Sequence, residues 1–387
     1  MNRKTILIIP VVLLVLLISS CTKSIENVNR PENYISGTFS DVFEAFWNGM
    51  NNNYVFWDID TTDWDAMYRR YQPVFAKLNI NDSGDVKKSI NYFRLMTQGL
   101  VDSHYNLTFG YGAVADSSIN PAYNRKMDTI HPYIFYPNYA VNYLDNDFVY
   151  GDDLSTDPNE DRFAIAGTIN KNILYFYCDI FGLKSSYESS TDNDVKKVLK
   201  YFFAKLANPA GLKGVIIDVR GNAGGEVTDL NFLLGKMVTS PLTFGYTRYK
   251  NGNGRLDYTP WAPAIITPQT GAKALDIPVI ALADAWSVSL AELTAMAIHS
   301  MPNGKFIGET TWGANGPLDI NQNFNGGQFT ASDFLFAYTS SSEFKYLDNN
   351  IYEGKGFPPD IAVPYNPAYL RQGRDAALET AVKNIVE

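Results

Sequence analysis

The stretch Gly214-Val215-Ile216-Ile217-Asp218-Val219-Arg220-Gly221-Asn222-Ala223-Gly224-Gly225 decides the fold. Its first half is a short β-branched apolar run, the pattern of a strand buried on both faces. Its second half turns on glycines, which reach backbone conformations closed to other residues. Two more runs share this character, Ile173 to Ile180 and Pro278 to Ala283. Between the first two lies a helical apolar face of Val195, Val198, Leu199, Phe202, Phe203 and Leu206, preceded by the capping-box spacing Thr191-Asp192-Asn193-Asp194. A second helical pattern, Ser289 to Ile298, follows the third run. Strands alternating with helices predict an α/β fold, with a mainly parallel sheet covered by helices and chemistry at the strand C-terminal ends.

Working outward, the grammar changes. Val42, Phe43, Phe46, Trp47 and Met50 recur at helical spacing, as do Trp64, Met67, Tyr68 and Tyr71, and then Tyr92, Leu95, Met96, Gly99 and Leu100. Residues 37–100 therefore read as a small N-terminal helical domain and 101–387 as the core domain. At the extreme N-terminus, Asn2-Arg3-Lys4 precedes an aliphatic run from Ile6 to Ile18, the layout of a signal peptide over 1–20. Leu17-Ile18-Ser19-Ser20-Cys21 resembles the lipobox of bacterial lipoproteins. That resemblance implies acylation of Cys21 and a protein held at the membrane of the bacterial cell envelope, with 21–36 as a flexible polar tether. An ordinary secretory signal with an incidental cysteine is the alternative.

Composition narrows the classes. With 45% hydrophobic and 14% aromatic residues in 387, the chain is no disordered tail. A net charge of −9 without a basic run excludes nucleic acid as a partner. The two cysteines, Cys21 and Cys178, leave no disulfide once the first is acylated. Cys178 sits in a buried-strand pattern, as a packed thiol would. No His/Cys/carboxylate cluster has ligand spacing and no phosphate loop appears, so neither metal nor cofactor is expected.

Two strand ends carry candidate chemistry. Gly224 and Gly225 would let backbone N–H groups converge on one point, as in an oxyanion hole, or would simply make a tight turn. Ser289, in Asp284-Ala285-Trp286-Ser287-Val288-Ser289-Leu290-Ala291-Glu292, would be a nucleophile at a helix start, or the cap of that helix.

Together with Ile307-Gly308-Glu309-Thr310-Thr311-Trp312-Gly313, these segments resemble the C-terminal processing (tail-specific) serine peptidases. There, Asp-Leu-Arg-x-Asn-x-Gly-Gly, Ser-Ala-Ser-Ala-Ser-Glu and Val-Gly-Glu-x-Thr-x-Gly occur in the same order. The resemblance implies a crotonase-like core of spiralled β-β-α units, Ser289 as nucleophile, and oxyanion amides from Gly224 or Gly225 with Leu290. Many members carry a lysine base in Phe-Gly-Lys-Gly. Here Trp312-Gly313-Ala314-Asn315-Gly316 puts a methyl group in its place. The chain looks like the lysine-free branch, which includes the tricorn core protease and retinoid-binding repeat proteins. That likeness carries over a Ser-His pair as Ser103 and His104. It also carries over a C-terminal Glu as Glu353, within Glu353-Gly354-Lys355-Gly356-Phe357-Pro358-Pro359-Asp360.

Histidine, near neutral in pKa, is the usual partner of serine. Of the three, His299 lies ten residues along the same predicted helix as Ser289, about 15 Å away. His131, before a proline and among aromatics, reads as structural. His104 lies at the junction of the two domains, where clefts form, and the resemblance implies that it is the base. Ser103 and Glu353 would orient its ring, provided the chain bends at Ser103. Between Tyr105 and Ile173 there is too little chain for a PDZ domain, so none is expected. The expected function is a lipid-anchored serine endopeptidase acting on peptides or unfolded protein. The alternative is an inactive binding protein on the same scaffold, holding peptides or hydrophobic ligands.

Overall fold

The protein is described by a computed structural model covering residues 37–154, 161–252, 254–318 and 326–387. The signal segment, Cys21 and the tether lie outside the described residues. Among those described, no helix is long and apolar enough to cross a membrane.

Three helices come first, Phe39–Asn53, Trp64–Phe75 and Ser83–Thr97. Thr38, Asp63 and Asp82 cap them by accepting from backbone N–H groups of the first turn. β1 (Asn106–Phe109) and β2 (Ser118–Ile119) begin an antiparallel sheet. β3 (Val149–Asp153), β4 (Arg162–Ile169), β5 (Ile173–Cys178) and β6 (Gly214–Asp218) start the central sheet. β7 (Leu242–Tyr249) and β8 (Ala262–Ile266) form part of a third sheet. β9 (Val279–Ala283) and β10 (Gly304–Gly308) return to the centre. β11 (Gln328–Ala331) and β12 (Leu335–Tyr338) complete the first sheet, and β13 (Ser342–Tyr346) completes the third. β14 (Ile361–Ala362) closes the central edge.

The central order is β14-β10-β9-β6-β5-β4-β3. It is parallel from β5 to β14 and antiparallel from β3 to β5. Strands are added in chain order to one growing edge. Pairing of Asp218 with Leu282 and of Gly308 with Ala283 sets the ends of β6, β9 and β10 level, so three turns leave the sheet side by side.

The apolar strands are continuous because both faces are covered. Val215 and Ile217 join the core under the helices Asp194–Ala207 and Leu290–His299. Ile216, one step out of phase, joins Ile280, Leu282 and the C-terminal helix Ala376–Val386 on the other face. Each such side chain contributes roughly 1.5–3 kcal/mol on burial. Cys178 is fully buried in the first core, a packed thiol.

The helical region is present, but its core is completed from far along the chain. Phe43, Phe46 and Phe93 share one cluster with Phe329, Phe334 and Leu335. Gly49 is required there, since a Cβ would lie 2.3 Å from the Phe329 ring. Two local expectations are corrected. The helix Asp194–Ala207 is capped by Asn193, whose Oδ1 accepts from Lys196 N at 2.7 Å, and not by Thr191. Leu95, placed on an apolar stripe, is 42% exposed.

Candidate active site

The turns after β6 and β9 are stitched into one unit. Asp284 Oδ1 accepts from Gly221 N, Trp286 N and Ser287 Oγ. Ser287 Oγ donates to Val219 O, and Val288 N donates to Asn222 O. Beneath them Arg220 is fully buried between Asp218 and Asp375, with Tyr136 over its guanidinium at 3.7 Å. Three remote segments are thereby locked under the glycine turn.

Ser289 opens the helix Leu290–His299 at φ 56°, ψ −116°. This conformation is costly for a residue with a Cβ, about 1–3 kcal/mol, and persists only where the surroundings enforce it. Here Glu292 enforces it. Its buried carboxylate accepts from Ser289 N at 3.2 Å, Gly313 N at 2.8 Å, Ala314 N at 2.6 Å and Thr311 Oγ1 at 2.6 Å. Gly224, at φ 92°, packs directly on the serine, and a Cβ would lie 2.7 Å from Ser289 Cβ. A sharp strand-to-helix turn of this kind presents a hydroxyl at the sheet's edge.

Gly224 N donates to Asn222 Oδ1 at 2.7 Å, so that amide is engaged. Gly225, at φ 135°, lies where a Cβ would meet Phe181 O at 2.1 Å. Of the two glycines, Gly225 is therefore the better candidate to act with Leu290 on an oxyanion.

His104 lies in a turn at the start of β1, formed as Asp102 Oδ1 accepts from His104 N at 2.9 Å. The chain does bend at Ser103, as convergence of the pair requires. The ring's neighbour is Ser340, whose Oγ is 3.5 Å from Nδ1. Ser340 is itself held by Asp102, through N at 2.8 Å and Oγ at 2.9 Å. Glu353 Oε1 accepts from Ser103 N, and Oε2 from Asn315 N and Gly316 N. Oxygens of Asp102 and Glu353 and a ring nitrogen of His104 lie within 4.8 Å of one another. Ser103 Oγ donates to Gly313 O and not to the imidazole. The expected arrangement, with Ser103 and Glu353 on the ring, is thus replaced by Ser340 on the ring and Glu353 beside it.

Burial sets the electrostatics. Desolvation pushes His104 down to about 4, so the ring is neutral near pH 7. It raises Asp102 and, with Asp102 as a second cause, Glu353.

Ser289 follows β9 and His104 precedes β1, and one segment links their surroundings. Gly313 gives its N–H to the Glu292 that holds Ser289, and its carbonyl accepts from Ser103. Among the described residues no hydrogen bond yet joins the serine to the imidazole. Ala314, at the family lysine's position, is buried with its N–H on Glu292. His131 pairs with Glu309 at 2.8 Å, and His299 pairs with Tyr346 and Asp360. Sequence reasoning missed Asp102 and Ser340. A hint existed in Asp102, two residues before His104, the spacing of an Asx turn. Ser340 left no signal.

Comparison with known proteins places the chain by similarity. Residues 183–363 match the profile of "Peptidase family S41" and residues 38–82 that of the "Tricorn protease C1 domain". Tricorn protease of Thermoplasma acidophilum is 24% identical over 190 residues, 49% of this chain and 16% of its own length. Carboxy-terminal processing protease CtpA of Bacillus subtilis is 22% identical over 199 residues, 48% of this chain and 40% of its own. The chain thus spans less than half the length of these relatives. In fold it is similar to a crystal structure of a candidate peptidase from Parabacteroides merdae, with TM-score 0.69 and 23% identity. That match covers 91% of this chain and 98% of the other.

Proposed function

The chain belongs to peptidase family S41, a family of serine peptidases, and on that premise we propose a serine endopeptidase anchored in the bacterial cell envelope through Cys21. Its substrates are peptides or unfolded protein segments. The observation that carries the reading is Ser289, held at φ 56°, ψ −116° against Gly224 and tied through Glu292 and Gly313 to the segment that contacts Ser103.

Ser289 Oγ attacks the peptide carbonyl carbon while His104 takes the hydroxyl proton. With Nδ1 facing Ser340, Nε2 is the nitrogen for that proton. Asp102 and Glu353, close to the ring, stabilise the imidazolium once it forms. Amides of Gly225 and Leu290 hold the carbonyl oxygen as it becomes anionic. One such donor is worth about 100- to 1,000-fold in rate. The imidazolium then protonates the leaving amine, and water releases the acyl group by the reverse path. Catalytic hydrogen bonds often tighten only with substrate in place, and the reading requires the Ser289–His104 hydrogen bond to form in that way. Tyr123, Trp312, Trp286 and Tyr133 form a row of aromatic rings beside the turn, with successive centroids 5.9, 5.6 and 5.8 Å apart. This row is a ledge for apolar substrate side chains.

A fluorophosphonate probe tests the reading. We expect it to label the wild type, not to label Ser289→Ala, and to react at least about 100-fold more slowly with His104→Ala. Undiminished labelling of Ser289→Ala would remove the nucleophile. An inert wild type would turn the reading to a binding protein. Release from membranes in Cys21→Ala tests the anchor separately.

A further inference from the structure

Three side chains outside the proposed catalytic set converge beside it. His131, Asp284 and Glu309 each offer a ligand atom, all within 4.8 Å of one another. Asp284 is 1% exposed; its Oδ1 is saturated by the turn, while its buried Oδ2 has no partner among the described residues. Glu309 Oε1 accepts from Tyr365 N, which leaves Oε2 for the imidazole.

The imidazole's own contacts sharpen this. His131 Nδ1 lies 2.8 Å from Pro132 O, a group that only accepts, so Nδ1 carries a hydrogen. Nε2 faces Glu309 Oε2 at 2.8 Å, again an acceptor. Neutral imidazole would therefore point a lone pair at a carboxylate. In the metal-free protein a proton on Nε2 resolves this as an ion pair with Glu309; a divalent cation in that proton's place would do the same and would also give the orphan Asp284 oxygen a partner. Backbone-bonded Nδ1 with an outward Nε2 is also the usual way a ligating histidine is fixed. The Tyr365 ring stacks on the imidazole at 4.3 Å and 7°, which holds its plane. A cavity of about 30 Å³ borders Asp284 and Glu309 on the side of Arg220 and Tyr365, and His131 lies outside its lining. Basic side chains nearby are engaged elsewhere: Lys126 donates to Trp312 O, and Arg220 is paired with Asp218 and Asp375.

We propose that His131, Asp284 and Glu309 bind one divalent cation of the zinc class. One imidazole with two carboxylates suits zinc better than calcium or magnesium, which favour oxygen alone. Metal–ligand bonds of about 2.0–2.2 Å set ligand atoms about 3.4 Å apart, so the His131–Glu309 pair, now at 2.8 Å, opens slightly as the ion enters. The ion would clamp the turn that leads into Ser289 to the segment around His131, whose carbonyl already accepts from Trp286 Nε1 at 2.8 Å. Because the three ligands come from three remote segments, no ligand spacing appears in the sequence.

Titration of Zn²⁺ alone into untagged, metal-stripped full chain in detergent tests this by calorimetry, with metal content per chain measured after gel filtration. We expect one Zn²⁺ per chain, bound at least tenfold more weakly by His131→Ala and by Glu309→Gln, and undiminished in His104→Ala. Circular dichroism of the variants shows that the fold is kept. Absence of binding to the wild type would overturn the proposal. So would binding that survives both His131→Ala and Glu309→Gln, or binding lost in His104→Ala. None of these outcomes depends on peptidase activity.

Discussion

The two halves of the proposed active site are built in different ways. The serine half is local: Ser289 and Glu292 are three residues apart, and the Gly224 turn that packs on them ends the neighbouring parallel strand. The histidine half is assembled at long range. Ser103 bonds Glu353 across 250 positions, and Asp102 bonds Ser340 across 238. One half is stiffened by a sheet buried on both faces. The other rests on an antiparallel sheet whose core is shared with the N-terminal helices. A nucleophile needs a fixed, strained turn, which a central strand end supplies.

Breaking the serine half should have the largest effect. Arg220→Ala leaves Asp218 and Asp375 buried without their cation and should cost about 3–5 kcal/mol. Chemical denaturation measures this; a loss under about 1 kcal/mol would mean that the turn does not depend on the ion pair.

Next comes Gly224→Ala, which adds a methyl 2.7 Å from Ser289 Cβ at a φ of 92°. Probe labelling should fall at least about tenfold, with stability reduced by about 1–3 kcal/mol. Unchanged labelling would show that the serine's position tolerates movement of the turn.

The mildest test touches the histidine half. With His104 held near 4, its neutral form persists into mild acid. A base is lost as pH falls through its pKa, so the acid limb of the labelling rate should lie well below the 6.5 of free histidine. Ser340→Ala should slow labelling severalfold and move that limb, because it strips the contact from Nδ1. A slower rate with an unmoved limb would mean that Ser340 serves the fold and not the ring.

Much of this was legible in the chain itself. The runs at β5, β6 and β9 declare strands because burial on both faces demands continuous apolar residues. The spacing of Ser289 to Glu292 and the paired glycines declare a turn because only local geometry is involved. The histidine's surroundings were not legible. Ser103, His104 and Glu353 entered through resemblance, whereas Ser340 and Asp102 emerged only once β1 and β12 were paired. Thr191 lost the helix cap to Asn193 because capping depends on which residue the backbone leaves extended, and Thr191 N is drawn to Ser189 Oγ instead.

Sequence alone determined the strand-helix alternation, a serine placed where a helix starts and the lack of a lysine at Ala314, all of which are read from short stretches of chain. Tertiary structure decided which side chain faces the imidazole, which glycine amide is left for an oxyanion, and that His131 meets Asp284 and Glu309. Most of those contacts join remote stretches of chain, Ser340 to His104 and His131 to Glu309 among them. Their geometry is set by how sheets and helices bury their faces, which no local spacing encodes.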